Sequence, residues 1–292
     1  MSAPSLRTRL AARGFDGTTM LIIPGLGFMI ALFVYPFLYG VVDSLTPKDG
    51  AWYANYAKFF SDPFQYNTIG ATLWLALPVT IINLAFAVPV AFRVRLMRRQ
   101  RLLTTILVLP ITLGTVFVAE GLLTFLGPRG WFNQTLLIIG IIDNPIKLTN
   151  NYWGVFASLL ITGFPFAFLL TLSYITGIDP AIEQAAATLG AGPRQRFLRV
   201  FLPLLVPGLA VTFCLAFVQA FAVFPSAVLL GAPAGPTRVI SIAAYQAAFE
   251  QYDHSLGSAI ALIMGGVELA VVLAVLGARS FFYRGPAGGT KG

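Results

Sequence analysis

Six long apolar stretches, separated by short polar segments, constrain the fold of this chain more than any other feature of its sequence. The stretches cover residues 18–42, 68–92, 102–125, 152–175, 201–230 and 255–282. Each is longer than the about 20 apolar residues that a helix needs to cross the hydrocarbon core of a bilayer. Only 10% of the 292 residues are charged, whereas a soluble domain carries about 25% charged residues. We therefore predict an all-α, polytopic membrane protein with six transmembrane helices in one domain, 18–282.

The positive charges are unevenly distributed over the polar segments. Of the 19 Lys and Arg residues, 14 lie in or beside the terminal tails (1–17 and 283–292), in 93–101 or in 194–199. Cytoplasmic loops of membrane proteins carry an excess of Lys and Arg. We therefore expect these segments, and both termini, on the cytoplasmic side of the membrane. This orientation also accounts for the net charge of +8, so no nucleic-acid partner is expected.

The loop 178–200 is the longest part of the second half that is too polar to lie in lipid. Its Ala-rich part, 183–189, has an acid near its start and predicts a short helix. Gly190 ends this helix, and Pro193 prevents its simple continuation. Basic and aromatic residues then run into the fifth apolar stretch; they include Arg194, Arg196 and Phe197.

This pattern resembles the cytoplasmic EAA loop of the permease subunits of binding-protein-dependent ABC importers, E-A-A-x-x-x-G-A followed by a basic and aromatic helix and L-P-x-x-x-P. The match rests on Gln184, Ala185, Ala186, Gly190, Ala191, Phe197, Leu202, Pro203 and Pro207. The glutamate of the family falls on Gln184, whereas the nearest acid, Glu183, comes one residue early. The register of the motif favours Gln184 for the role of the family glutamate. Glu183 is favoured instead by its charge, because an acid can pair with an arginine of the partner.

Two further regions extend the resemblance over all six stretches. The sequence I-G-I-I-D-N-P-I around Asp143, and the T-L-G-A form of the EAA loop, are similar to the spermidine/putrescine-type branch of the family. The region after the fifth stretch matches these permeases at Thr237, Tyr245, Ala248, Phe249, Gly257 and Ala259.

The resemblance implies a multi-pass protein of the bacterial cytoplasmic (inner) membrane, surrounded by lipid, that forms half of a substrate path. It also implies two partner ATPase subunits, which use ATP and Mg, and an extracytoplasmic substrate-binding protein. A second, related permease would complete the path, with a homodimer as the alternative. Contact with the ATPase is expected through Glu183, Gln184, Ala185, Ala186, Gly190, Ala191, Arg194, Arg196 and Phe197.

Catalytic and metal-binding motifs are missing from the sequence. One cysteine and one histidine exclude a disulfide framework and a cluster of histidine ligands. The tail G-G-T-K-G lacks the glycine spacing and the Lys-Ser/Thr order of a phosphate-binding loop. We therefore expect a chain that is not an enzyme and that binds no cofactor or metal itself.

Two acids, Glu120 and Glu268, fall inside the third and sixth stretches. A carboxylate at the centre of a bilayer costs a few kcal/mol on insertion scales, so each should face protein, water or a cation. Either they line a path for a polyamine or another amine, or they only bond to neighbouring helices. A gradient-driven secondary transporter is the rival class, although inverted repeats and several intramembrane charges would then be expected. Import of a sugar or of another solute stays open.

Overall fold

The computed structural model describes residues 22–282, with side chains up to Arg279, and the regular elements of this part are all helices. The predicted tails, 1–17 and 283–292, lie outside the described residues. The helices are, in order, α1 (Ile22–Ser44), α2 (Ala54–Ser61), α3 (Pro63–Val94), α4 (Gln100–Leu113), α5 (Thr115–Leu126), α6 (Trp131–Ile138), α7 (Tyr152–Thr176), α8 (Pro180–Thr188), α9 (Pro193–Phe221), α10 (Pro225–Leu230), α11 (Ile240–Tyr245) and α12 (His254–Phe282).

In this part of the chain, five helices are long and apolar enough to cross a membrane: α1, α3, α7, α9 and α12. The pair formed by α4 and the segment Thr115–Ile138 meets the same criteria when taken together but is bent by 92°, so the count is five spans, or six with this pair as one broken span. The predicted all-α membrane fold is confirmed, and each apolar stretch contains one of these helices or the bent pair. In the polar segment after the third stretch, the sequence of 131–142 predicts a short surface helix, and this helix forms as α6.

The third span is broken, although the sequence predicted one helix over 102–125. The break lies at Gly114, whose backbone has a φ of +76°. Glycine enters this region of backbone space without the steric cost that a Cβ atom imposes. Pro110, inside the last turn of α4, also has no amide hydrogen to continue the helical bonds. The chain therefore changes direction within the apolar stretch.

The fifth span also differs from the predicted stretch, 201–230. It begins earlier, since α9 runs on from Pro193 through a wide π-turn at Phe197–Phe201. It is then interrupted at residues 222–224, before α10. Pro225 has no amide hydrogen that could bond to the carbonyl of Phe221, so a regular helix cannot pass through this point.

The segment 231–254, whose polar residues, glycines and prolines predict a polar loop, folds back into the helical core. Its helix α11, extended by a π-turn at Gln246–Glu250, buries Ile240 and Ala243. These side chains pack with Phe59 of α2 and Phe217 of α9. The prediction was wrong because a few apolar side chains, spaced along one face of a short helix, outweigh the Gly and Pro residues around them.

Helix α3 is the central element of the packing. A cluster near its start joins it to α9, α11 and α12, and a cluster near its end joins it to α7 and α9. Ala76 belongs to the first cluster, and Ala87 and Ala91 belong to the second. Small side chains allow neighbouring helices to approach closely in membranes. The 32 residues of α3 span about 48 Å at 1.5 Å per residue.

Candidate coupling loop and intramembrane path

The loop between α7 and α9 has the predicted helix–glycine–helix form. The carboxylate of Asp179 accepts a hydrogen bond of 2.8 Å from the amide of Ala181, which caps α8 at its start. At its end, Gly190 has a φ of +83°. Its amide bonds to the carbonyl of Ala187, and the amide of Ala191 bonds to that of Ala186. These two bonds form a Schellman cap, for which glycine is preferred.

Glu183 and Gln184 point in different directions from α8. The Oε2 atom of Glu183 accepts a hydrogen bond of 2.7 Å from Nη2 of Arg95, and its Oε1 atom lies 3.6 Å from Nη1 of Arg196. Gln184 and Ala185 are exposed. The arginine that pairs with Glu183 therefore belongs to this chain, whereas the sequence analysis favoured an arginine of a partner.

Phenylalanine rings hold the guanidinium of Arg95 in place. Its central carbon lies 4.4 Å from the ring centroid of Phe92 and 4.2 Å from that of Phe201. The ring of Phe197 meets Phe92 edge to face, with centroids 5.0 Å apart. Such contacts favour a cation over an aromatic face. In the sequence, Arg95 is one of several charges of a basic loop. The local sign of its role is Phe92, which lies three residues earlier on the same helix face.

The remaining predicted coupling residues lie on or near the surface of the loop. Gly190 and Arg194 are exposed, and Ala191 is half-buried. Beside them, Leu189 is 88% exposed and Ile182 is 42% exposed. The loop thus exposes two apolar side chains, seven positions apart on one face of α8, which the sequence did not single out.

The two intramembrane acids are not part of one site with the coupling loop. Glu120 lies on α5 and is exposed, and Glu268 lies on α12 and is half-buried. The Oε1 atom of Glu268 is buried without a hydrogen-bond partner among the described residues. Neither acid lines the polar cavity between α3, α7 and α9.

That polar cavity, of about 120 Å³, lies where two spans are interrupted. Thr115 follows the break at Gly114, and residues 222–224 form the break between α9 and α10; both contribute to its walls. The other polar side chains of the wall are Asn83, Thr162, Gln219 and Ser226. Irregular backbone at membrane depth is tolerated where it is buried in protein or lines a water-filled space. Prolines inside the apolar stretches are the one local feature of the sequence that is compatible with such a cavity.

A second arginine, Arg238, is 4% exposed and lies near the start of α3. Its Nη1 atom donates to the carbonyl of Phe64 at 2.9 Å, and its Nε atom donates to Oε1 of Gln246 at 2.9 Å. Burial lowers the pKa of the Arg238 guanidinium from its ordinary value, and the carboxylates of Asp62 and Glu250 oppose this change. In the sequence, Arg238 lies in a polar segment outside the basic cytoplasmic segments, where the charge of an outer loop is expected.

Comparison with known proteins agrees with this architecture. The spermidine/putrescine permease PotB of Haemophilus influenzae is 31% identical over 226 residues, which cover 74% of this chain and 78% of the relative. PotB of Salmonella typhimurium is 28% identical over 221 residues, covering 73% and 77%. A probable sulfate permease, cysT of Prototheca wickerhamii, is 27% identical over 226 residues, covering 76% and 86%.

Solved structures share the fold. A chain of a bacterial alginate ABC transporter, crystallised with an alginate pentasaccharide-bound periplasmic protein, aligns with a TM-score of 0.80 and 23% identity, covering 96% of this chain and 99% of that chain. A chain of the MetNI methionine ABC transporter aligns with a TM-score of 0.59 and 16% identity, covering 75% and 96%. The family profile described as "Binding-protein-dependent transport system inner membrane component" matches residues 81–282. Since this match covers most of the chain, the protein belongs to that family and is a multi-pass inner-membrane permease of the ABC importer type.

Proposed function

We propose that this chain is one permease half of an ABC importer for a small polar solute, with a polyamine or another amine as the favoured class. The observation that carries the proposal is the 31% identity to a spermidine/putrescine permease over 74% of the chain. Membership of the family argues against a gradient-driven secondary transporter. The sulfate permease relative, at 27% identity, makes an importer of an anion or another solute the second candidate.

The polar cavity has a wall of neutral side chains, which suits a polar solute without selecting the sign of its charge. The C-terminal end of α9, which carries partial negative charge, and the N-terminal ends of α5 and α10, which carry partial positive charge, all reach this wall. Asn83 and Gln219 supply amide groups, and none of the residues that line the cavity is charged. The preference for an amine therefore rests on the relatives.

Uptake measurements distinguish the two candidate solutes. Membrane vesicles that contain the permease, its ATPase and its binding protein are tested with labelled spermidine, putrescine and sulfate. ATP-dependent uptake of an amine supports the proposal. ATP-dependent uptake of sulfate without uptake of either amine contradicts it.

Glu268 is the candidate for an acid of the path, with Glu120 near its mouth. A carboxylate oxygen without a partner inside a membrane helix calls for a cation, a hydroxyl group or water in the assembled importer. Loss of uptake by both Glu268→Gln and Glu268→Ala, with the complex intact, supports a role in the path. Full uptake by Glu268→Ala would assign the acid to packing.

Two ATPase subunits, which use ATP and Mg, are proposed to bind the coupling loops, while this chain itself binds no cofactor. The exposed side of α8, with Gln184 and Ala185, and the turn at Gly190 supply the contact. Because Gly190 has a φ of +83°, a β-branched side chain there would force the turn to rearrange. Gly190→Val should therefore abolish transport while the chain stays in the membrane; normal transport would exclude Gly190 from coupling.

Both termini are proposed to be cytoplasmic, on the basis of the distribution of Lys and Arg. Cysteines introduced at Gln100 and Gln195, in a Cys214→Ser background, should resist an impermeant thiol reagent in intact cells. Ready labelling of either position would show that the orientation is opposite to the proposed one.

The other half of the path is proposed to be a second, related permease, since a single chain supplies six spans. An extracytoplasmic binding protein would deliver the solute to the pair. Native mass spectrometry of the purified complex checks the composition. If the complex contains two copies of this chain and no second permease, the path is formed by a homodimer and the proposed heterodimer is wrong.

A further inference from the structure

The contacts around Glu183 join three parts of the chain. Glu183 lies in the first turn of α8, Arg95 directly follows the last residue of α3, and Arg196 lies in the first turn of α9. The Glu183–Arg95 hydrogen bond is 2.7 Å long, and the Arg95 side chain is only 10% exposed. A short, charge-assisted hydrogen bond at a shielded position restrains both groups strongly. Helix α8 is therefore tied to α3 as well as to its chain neighbours, α7 and α9.

Two aromatic rings hold Arg95, so that it can position Glu183. Its guanidinium lies 4.4 Å from the ring of Phe92 and 4.2 Å from the ring of Phe201, and these rings meet each other edge to face with centroids 5.2 Å apart. Phe92 belongs to α3, and Phe201 is completely buried within α9. The planar guanidinium stacks on aromatic rings while its edge donates to a carboxylate, a combination that an ammonium group cannot reproduce fully.

Helix α3 connects this contact to the interior of the membrane. Asn83, in the wall of the polar cavity, precedes Arg95 by twelve positions, which is about 18 Å along a helix. Between the two, Ala87, Ala91 and Val94 pack into the core formed with α7 and α9. A displacement of α8 that is transmitted through Arg95 therefore acts on the same helix that lines the cavity.

Gln184 lies beside this network but does not take part in it. Its side chain is exposed and forms no hydrogen bond or ion pair with another residue of the part that the structure describes. The charge of Glu183 is already balanced by two arginines of its own chain, so it gains less from a cation of a partner than an unpaired acid would. Glu183, which faces its own chain, and Gln184, which faces outward, thus have separate tasks.

We propose that Arg95 is a positioning residue for the coupling of ATP use to transport. Through Glu183 it fixes α8 to the end of α3, so that α8 and the cavity-lining helix move together, while Gln184 faces the partner. This inference rests on the proposed function, because it assumes that an ATPase acts on α8. Two sites linked in this way are coupled energetically, and loss of the link reduces the response of one site to the other.

The test uses the complete importer, reconstituted with its ATPase and its loaded binding protein. Arg95→Gln and Glu183→Gln are compared with the double variant and with Arg98→Gln, the matched control. Arg98 is an exposed arginine of the same loop that pairs with no residue in the described part of the chain. Each variant is measured for retention of the ATPase, for basal ATP hydrolysis and for its stimulation by the loaded binding protein.

If Arg95 and Glu183 act as one unit, each single variant should lose stimulation by about fivefold or more, and the double variant should lose no more than the singles. Basal hydrolysis and ATPase retention should stay close to those of the wild type, as should every property of Arg98→Gln. Arg95→Lys, which keeps the charge, should recover part of the stimulation. A purely structural role predicts instead that basal hydrolysis, retention and stimulation fall together.

Normal stimulation in Arg95→Gln, or additive losses in the double variant, would overturn the proposal. If Arg95→Gln does not assemble, Glu183→Gln decides the matter, because it preserves the shape of the side chain. Loss of ATPase retention in Glu183→Gln alone would show that Glu183 serves the partner. Failure of the wild-type chain to bind an ATPase would be a failure of the proposed function, and it is visible before any variant is compared.

Discussion

Two buried arginines, Arg95 and Arg238, anchor the opposite ends of helix α3. Each guanidinium lies over a phenylalanine ring of α3, at 4.4 Å from Phe92 and at 4.2 Å from Phe64. Arg95 binds a carboxylate, Glu183, at 2.7 Å. Arg238 instead donates to neutral acceptors, which are the Phe64 carbonyl and the amide side chains of Gln65 and Gln246.

The difference between the two anchors reflects what each one holds. Arg238 fixes α11 and the preceding loop against the core, and its several acceptors define a single arrangement. Arg95 holds a surface helix through one carboxylate, so a single charged contact joins α8 to α3. Nearby carboxylates, Asp62 and Glu250, balance the charge of Arg238 from a longer distance. The start of α3 is therefore held by several neutral acceptors around Arg238, and its end by one charged contact of Arg95.

Replacing Arg238 should have the largest effect on stability. Arg238→Met leaves the side-chain oxygens of Gln65 and Gln246 without their donor, and each unsatisfied group costs about 1–3 kcal/mol. We expect a loss of about 2–5 kcal/mol in the free energy of unfolding, measured by denaturation of the purified chain in detergent. Arg95→Met should lose clearly less. Equal losses at both positions would remove the distinction between the anchors.

Lysine substitutions should separate the two anchors further. Arg95→Lys keeps a cation beside Glu183, so its cost should stay near the about 1 kcal/mol of a partly exposed ion pair. Arg238→Lys keeps the charge but loses the fork of donors that reaches several acceptors, and we expect about 1–3 kcal/mol. Thermal unfolding midpoints of the two variants provide the measurement. A larger loss of stability for Arg95→Lys than for Arg238→Lys would contradict the expectation that several acceptors make Arg238 the harder residue to replace.

The aromatic contacts should contribute about equally at the two ends. Phe92→Leu and Phe64→Leu each remove a ring under a guanidinium while keeping an apolar side chain. A cation–π contact of this kind is worth about 0.5–1 kcal/mol beyond the loss of apolar area. Chemical denaturation of both variants tests this expectation. Unequal losses would mean that the ring contributes mainly through packing at one end.

Salt should affect only the coupling end, and only slightly. Raising the ionic strength from about 0.1 to 1 M shortens the screening length from about 10 to 3 Å. Since a quarter of the Glu183 side chain is exposed, we expect the destabilisation in Arg95→Gln to shrink by a few tenths of a kcal/mol at high salt. The destabilisation in Arg238→Met should not change. Titration of both variants with NaCl, each against wild type, gives the comparison.

Local signals determined much of the fold and of the coupling loop. Hydropathy alone places the six spans, because every backbone amide in lipid must be bonded inside its own helix. The turn at Gly190 is equally local, since its two capping bonds reach only three and five residues back along the chain. The breaks at Gly114 and at 222–224 were marked by residues of the right type, but glycine and proline are tolerated in continuous spans too, as Pro78 and Pro165 are here.

The tertiary structure decided what the charged side chains do. Arg95 and Glu183 are 88 residues apart, and Arg238 and Phe64 are 174 residues apart. A basic residue in a polar loop has the same local sequence pattern whether it faces water or a buried acceptor. Its burial depends on which distant helices reach the same place. The sequence by itself therefore determined the spans, the glycine turn and the family, whereas only the packing around α3 determined which arginines are anchors and which side of α8 is free.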